Sequence, residues 1–199
     1  HDRTVIGNTN PKFQGGFGFN GQYKGFDFTI NFNYMYGFDV NNATGYQLSS
    51  SEKNDKKFYN VLSKFKDGWH YFNPADGEHY YKNTNVENSV DVYGAANAGV
   101  TLWNPADVTK KVTHSYFIED GSFLRCQDIT IGYTLPKKLT QKWGMSKVRF
   151  YASGSNLFII TGYSGYDPEV DVQTGLTCGM DYNRYPRSRS FVFGTNITF

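Results

Sequence analysis

The sequence has few cysteines and lacks any long apolar run. Its two cysteines, Cys126 and Cys178, lie in a predicted strand and a predicted loop, which fits neither a disulfide framework nor a metal site. We expect two free thiols, with a surface disulfide between them as the alternative. No segment approaches the roughly 18 to 20 consecutive apolar residues that a membrane-spanning helix requires. Any membrane-spanning part is therefore expected to consist of β-strands.

A strong excess of one charge is also missing. The 20 Lys and Arg residues nearly balance the 18 Asp and Glu residues and form no basic stripe, which argues against a nucleic-acid partner. The 4 histidines have no close ligand spacing, and no Ser, Cys or carboxylate neighbourhood suggests nucleophilic catalysis. We therefore predict no catalytic residue, no enzyme activity and no cofactor or metal, apart from a Ca²⁺ alternative described below. The chain starts without Met and shows no signal peptide, which indicates a processed product or the tail piece of a longer polypeptide.

Aromatic residues are abundant although the chain is polar on average. Phe and Tyr number 17 and 16, aromatics make up 18% of the chain, and the mean hydropathy is −0.57. A soluble core of this polarity would use mainly aliphatic residues, whereas a barrel wall between lipid and water combines aromatic-rich strands with a polar average. The composition therefore favours an all-β membrane protein.

Alternation of apolar and polar residues predicts five β-strands. The clearest runs from Phe26 to Phe38, where Phe, Ile and Tyr alternate with mostly polar residues. At about 3.3 Å per residue, this strand is long enough to cross a bilayer core even when tilted. The predicted strands are residues 12–23, 26–39, 122–135, 147–160 and 188–199.

Connections between these strands alternate in length. A tight turn at Lys24-Gly25 and a connection from Leu135 to Ser146 are short, whereas residues 40–120 and 161–187 form long loops. This alternation is typical of barrels with tight periplasmic turns and extended extracellular loops. Five strands cannot close such a barrel, because bacterial barrels have even strand numbers from eight upward. We therefore infer that the chain is the C-terminal part of a larger protein.

Five blocks of the sequence resemble SusC/RagA-like TonB-dependent transporters. They follow the family's order and are Asp2–Pro11, Gly121–Pro136, Val148–Phe158, Tyr163–Glu169 and Tyr185–Pro186. The resemblance covers both ends of the chain and fades between about residues 41 and 112. It implies that the five antiparallel strands are the last five of a 22-stranded transmembrane β-barrel, with a plug domain outside this chain.

The resemblance also implies a function and partners. Transporters of this family import nutrients across the bacterial outer membrane, usually oligosaccharides and less often peptides. The implied partners are the rest of the barrel and plug polypeptide, a SusD-like surface lipoprotein that closes over the barrel, and the TonB system, which acts through the plug. Outer-membrane lipid would surround the wall.

Aromatic side chains in the long loops are candidate ligand-binding residues. They would stack on sugar rings or bury against the lid protein, and the alternative for each is a place in the loop's own small core. A capping-box pattern from Ser49 to Glu52 leads into a helical run through Phe65, which indicates that the first loop is folded. The candidates are Trp69, Tyr80, Tyr81, Trp103, Tyr182 and Tyr185.

Acidic residues alternate in the second loop at Asp167, Glu169 and Asp171. Carboxylates bind Ca²⁺ or sugar hydroxyls, yet this spacing lacks a full Ca²⁺ ligand set. We interpret the run as a solvated loop and keep Ca²⁺ binding as the alternative.

The wall residues divide into a lumen face and a lipid face. The polar residues Asn31, Asn33, Thr130 and Asn196 are predicted to line the lumen. Aromatic residues near both ends of the strands fit the two interfacial girdles of a membrane barrel. The last residue, Phe199, resembles the C-terminal aromatic by which the assembly machinery recognises such barrels.

Two other functional classes stay open at the level of the sequence. A passive porin or a surface adhesin would use the same kind of barrel without a plug or TonB. A soluble carbohydrate-binding β-sandwich would fold without detergent, but the odd strand number and the strand lengths argue against it.

Overall fold

The computed structural model describes residues 4–49, 61–69, 97–105, 115–169, 178–182 and 184–199. The chain divides into two units, the first formed by His1–Ala43 with His114–Phe199 and the second by Thr44–Thr113. The alternating segments of the sequence fall in the first unit, and the predicted first long loop supplies the second.

The first unit is built from strands that pair antiparallel, apart from one parallel pair in its smaller sheet. Five long strands form a main sheet in the order β1-β2-β5-β6-β8, and three short strands form a second sheet in the order β4-β3-β7. The strands are β1 (Phe13–Tyr23), β2 (Phe26–Tyr36), β3 (Asp39–Asn42), β4 (Ile118–Asp120), β5 (Phe123–Thr134), β6 (Lys147–Thr161), β7 (Met180–Asp181) and β8 (Ser190–Thr198). The main sheet has the all-β, antiparallel architecture that the alternation predicts, whereas β3 and β7 of the second sheet pair in parallel.

The second strand ends earlier than the sequence pattern suggests. β2 stops at Tyr36, because Gly37 adopts a positive φ of 75° and donates its N–H to Ser122 Oγ at 2.9 Å. The chain then enters the second sheet, where Asn41 pairs with both β4 and β7. Residues predicted as long loops therefore contribute short strands to this sheet.

A β-bulge keeps the two faces of the main sheet chemically distinct. Asn31 and Phe32 of β2 pair with Asp128 and Cys126, which leaves Gln127 as an extra residue of β5 relative to β2. On the neighbouring strand, Asn156 has a left-handed φ of 53° at the same level. Because an extra residue reverses the alternation of side chains, the apolar Cys126 and the polar Asp128 lie on opposite faces.

One face of the main sheet is apolar and largely exposed. Phe17, Phe32, Cys126 and Phe158 lie side by side on it across four strands, and the rings of Phe17 and Phe32 stack with centroids 5.1 Å apart. The opposite face carries the polar residues of each strand. The large exposed side chains of the apolar face are Phe13, Phe17, Phe19, Tyr23, Phe26, Phe28, Tyr36, Ile131, Phe150, Phe158, Ile160, Phe191, Phe193 and Ile197.

A small buried core marks one end of the main sheet. It consists of Phe38, Val40, Phe123 and Tyr163, with partly buried Met35 and Ile159 packed against it. We call this the loop end, because the segments predicted as long loops leave the sheet here. The opposite end, which carries the tight turn at Lys24-Gly25, is the turn end.

The second unit contains short helical segments in its described part. Helix α1 (Ala43–Gln47) leads into it, and Ser63–Asp67 form a 3-10 helix whose buried Phe65 packs against Trp103 with ring centroids 5.1 Å apart. The helical run predicted after Ser49 falls mainly on residues 50–60, which lie outside the described residues. Every helix in the described parts of the chain is too short or too polar to cross a membrane.

Candidate functional site

The polar face of the main sheet carries a row of cross-strand hydrogen bonds. Asn31 Nδ2 donates to Asp128 Oδ2 at 2.9 Å, and the hydroxyls of Thr130 and Ser153 are 2.9 Å apart. The register places the four predicted lining residues, Asn31, Asn33, Thr130 and Asn196, on this same face. The face therefore offers amide, hydroxyl and carboxylate groups to a polar ligand. Its role as a lumen lining stays a prediction.

An ion pair crosses the polar face at the turn end. The guanidinium of Arg149 on β6 donates two hydrogen bonds to the Asp27 carboxylate on β2, one of them from Nε to Oδ1 at 2.9 Å. The side chain passes over Gly132 of the intervening strand, where a Cβ would lie 2.5 Å from Arg149 Nη2. This ion pair was not predicted from the sequence. The feature that could have indicated it is Gly132, a glycine in the strand between the two charged residues.

A second charged cluster lies at the loop end. Arg125 of β5 donates from Nη2 to Asp167 Oδ1 at 2.6 Å, and its Nε is 3.2 Å from Glu169 Oε2. Arg187 donates to the other oxygen of Glu169 at 2.7 Å. The Arg125 side chain is only 5% exposed, whereas that of Arg187 is 51% exposed. Arg125 is thus the buried centre of the cluster.

The structure contradicts the interpretation of this acidic run as a solvated loop. Asp167 and Glu169 are largely buried, because Arg125 reaches them from the polar face of the main sheet. The partner of Asp167 lies 42 positions earlier in the chain, so local sequence reasoning could not find it. Asp171 lies outside the described residues, and Ca²⁺ binding stays a prediction.

The residues just before the acidic run are also tied down. Buried Tyr163 donates its hydroxyl to Asp181 Oδ2 at 2.6 Å, and burial, together with this bond, raises the pKa of Tyr163 above its usual range. Ser164 donates from its N–H and its hydroxyl to the two oxygens of Glu119, both at 2.8 Å. We call Tyr163–Glu169 the clamp segment, since it joins the second loop to β4, β5 and β7.

The candidate ligand-binding aromatics fall into different environments. Trp103 packs on Phe65 within the second unit, and its Nε1 donates to the Ser49 carbonyl at 3.4 Å, which fits a place in a local core. Tyr182 and Tyr185 are strongly exposed, and Trp69 is half-buried. Tyr80 and Tyr81 lie outside the described residues. Phe199 is exposed, and its role in assembly stays a prediction.

The two cysteines lie in unlike surroundings. Cys126 is buried within the main sheet, whereas Cys178 is exposed, and no disulfide joins them among the described residues. This matches the expected thiols rather than the alternative surface disulfide.

Curated TonB-dependent receptors are similar to this chain in sequence. It is 29% identical to TonB-dependent receptor P3 and 28% identical to receptor P39, both of Formosa agariphila, over 100% of the chain and 17% of each receptor. It is 42% identical to the TonB-dependent receptor SusC of Bacteroides thetaiotaomicron over 85 residues, which are 42% of the chain and 8% of SusC. The chain spans less than a fifth of the length of these relatives. No family model matches it.

Solved structures of RagAB share the fold. The RagAB peptide transporter matches with a TM-score of 0.73 at 20% identity, and the RagAB peptide importer in its open-open state with 0.68 at 21%. Each match covers 98% of this chain and 18% of the solved chain. The relatives are receptors and transporters by name, not enzymes. These findings confirm the resemblance to SusC/RagA-like TonB-dependent receptors, with their β-barrel fold and outer-membrane location.

Proposed function

We propose that this chain, as a segment of a SusC/RagA-like TonB-dependent receptor, forms part of the wall and outer mouth of an outer-membrane nutrient importer. The observation that carries the proposal is the two-faced main sheet, with exposed aromatic residues on one side and hydrogen-bonding groups on the other. In water, such a sheet would bury its apolar face in a core. In a membrane barrel, the same face meets lipid and the polar face lines the lumen.

The edges of the main sheet support a larger barrel. In the described residues, β1 pairs only with β2, and β8 pairs only with β6. Open strand edges do not occur within the hydrocarbon region, because their N–H and C=O groups would have no partners. Further strands of the receptor would therefore pair with β1 and β8 and close the wall around a plug.

Cargo would pass along the polar face without being changed chemically. The amide and hydroxyl groups of Asn31, Asn33, Thr130 and Asn196 are suited to brief hydrogen bonds with hydroxyl-rich or amide-rich molecules. TonB would supply the energy through the plug. The cargo would be an oligosaccharide or a peptide, and RagAB, which shares the fold, is a peptide importer.

The loop end would form part of the extracellular mouth. The clamp segment anchors the second loop to the wall through Arg125 and to β4 of the second sheet through Glu119. Tyr182 and Tyr185 expose their rings in the same loop, where they are available to cargo or to a SusD-like surface lipoprotein. A loop that is already anchored loses less conformational entropy when it binds a partner than an unanchored loop does.

Native mass spectrometry of the complex, extracted gently from outer membranes, tests the assembly. An importer predicts that this chain is recovered with the barrel-and-plug polypeptide and a lipoprotein. Uptake of labelled oligosaccharides and peptides, measured with and without functional TonB, then tests the activity. We expect uptake to stop without TonB. An assembly without a plug, or uptake that does not depend on TonB, would indicate a passive porin or an adhesin instead.

A further inference from the structure

The connection between β5 and β6 is a folded segment at the turn end. It contains helix α2 (Lys137–Thr140), followed by a 3-10 helix at Gln141–Trp143. Its first residue, Leu135, donates an N–H to the Val148 carbonyl at 2.9 Å, and the Ser146 N–H donates to the Thr198 carbonyl at 2.8 Å. Both ends of the segment are therefore fixed to the main sheet. We call residues 135–146 the basic connection.

The basic connection covers the end of the apolar face. Val148 lies on that face opposite Ile197, yet it is only 4% exposed. Phe150, two residues further along the same face, is 50% exposed. Helix α2 contacts β6, and the Leu135 N–H donates to the Val148 carbonyl, so we infer that this connection covers Val148. The connection therefore lies on the side of the sheet that we assign to lipid.

The outer surface of the basic connection combines apolar and cationic side chains. Leu139 and Trp143 are 44% and 62% exposed, which leaves a large part of each without contact with the protein. The exposed Lys137, Lys138 and Lys142 lie beside them, and residues 135–146 contain no Asp or Glu. Trp beside Lys is the composition of a membrane interface, where the ring occupies the headgroup region and the ammonium reaches phosphate.

Other charges at the turn end add to the positive potential. The Asp27 carboxylate forms an ion pair with Arg149. An open cavity of about 430 Å³ beside this pair is lined by Lys24 and Lys147 as well. Lys24 extends over the ring of Tyr23, 5.1 Å from its centroid. The Asp27–Arg149 pair has no net charge, so the two lysines leave this cavity positive.

We propose that the basic connection is an interfacial anchor that binds the anionic headgroups of phospholipids in the leaflet at the turn end. Trp143 and Leu139 insert at the level of the headgroups, and Lys137, Lys138 and Lys142 contact the phosphates. The anchor deepens the proposed function and rests on it, since the apolar face must be in a membrane. A barrel wall without this anchor would also contact lipid through its apolar face, but it would show no preference for anionic lipid.

Lipid selectivity provides the first test. The purified receptor in detergent is titrated with phosphatidylglycerol or phosphatidylcholine, and bound lipid is counted by native mass spectrometry. Each lysine near an anionic headgroup should change the preference by about fivefold, so Lys138→Gln with Lys142→Gln should reduce it by roughly 25-fold. Lys12→Gln with Lys66→Gln removes the same charge elsewhere and should leave the preference unchanged. Equal binding of the two lipids, or equal losses in the two variants, would overturn the anchor.

Quenching of tryptophan fluorescence provides a second readout that does not depend on charge. The receptor is reconstituted in vesicles that contain brominated phosphatidylglycerol. If Trp143 lies in the interface, Trp143→Phe removes a quenched component of the emission. Trp103→Phe is the matched control, since Trp103 packs against Phe65, and it should remove an unquenched component. An unquenched Trp143 would refute the anchor.

The two proposals fail in different ways. A receptor that is found in outer membranes as a heat-modifiable barrel, but shows neither lipid preference nor quenched Trp143, would refute the anchor and leave the importer intact. A receptor that is absent from outer membranes would refute both.

Discussion

At the scale of single residues, Gly132 controls the ion pair at the turn end. The Arg149 guanidinium occupies the space that a side chain at this position would need. Gly132→Ala should push Arg149 away from Asp27 and destabilise the barrel by about 1 to 3 kcal/mol, as overpacking does. Heat-modifiability on gels measures the shift in unfolding temperature. Gly162→Ala, where nothing lies within 4 Å of the added methyl, is the control. Equal stability of the two variants would contradict this role.

Tyr163 holds the clamp segment through a buried hydrogen bond to a carboxylate. Tyr163→Phe removes the donor to Asp181 and should weaken the clamp by about 1.5 to 3 kcal/mol, the range for bonds to charged groups. Hydrogen exchange of residues 163–169 reports the loosening. Tyr166→Phe, at a strongly exposed ring, is the matched control. If both variants exchange alike, the hydroxyl of Tyr163 has no such role.

The same tyrosine predicts a dependence on pH. Burial raises the folded pKa of Tyr163, so its contribution to stability is complete below the unfolded pKa of about 10. The contribution is lost as the pH rises from there toward the folded value. Protection factors of the clamp segment should therefore fall above about pH 10 in the natural sequence. In Tyr163→Phe this fall should be absent, and its persistence would assign the effect to another group.

At the scale of elements, Arg125 joins β5 to the clamp segment. Arg125→Gln would leave Asp167 and Glu169 largely buried without this partner, which should destabilise the second loop by about 3 kcal/mol. Arg187→Gln removes a half-exposed partner of Glu169 and should cost at most about 1 kcal/mol. The two variants are compared by limited proteolysis, measured as the rate of cleavage between residues 161 and 187. Similar cleavage in both variants would show that Arg125 is not the anchor.

Elements of different length were predictable to different degrees. The long strands follow from alternation alone, because each has a continuous apolar side. The two-residue β7 and three-residue β4 are too short to show a period, so the second sheet was hidden within predicted loops. The bulge at Gln127 was also hidden, since an extra residue interrupts the period that identifies a strand. The arginine partners of Asp167 and Asp27 could not be predicted, because strand pairing brings them close and the spacing of residues in the sequence does not show which strands pair.

At the scale of the whole molecule, the proposed function depends on whether the apolar face of the main sheet contacts lipid. Phe28 exposes its ring on that face, where it lies between Gly21 of β1 and Ile131 of β5. Phe28→Arg should cost roughly 2 to 4 kcal/mol if the position is at the bilayer midplane, because a charge there loses its hydration. Asn20→Arg, on the polar face of β1, would place the same charge toward an aqueous lumen and should cost far less.

The comparison of these two variants separates a membrane wall from a water-soluble sheet. Both positions are accessible on the main sheet, so if both faces met water, each Arg would be hydrated and the two variants would melt alike. In a barrel, the alternation of faces converts a shift of one residue along a strand into a change of solvent from lipid to water. We therefore expect Phe28→Arg alone to lower the unfolding temperature of the inserted receptor on heated gels. Equal temperatures for the two variants would refute the assignment of the aromatic face to lipid.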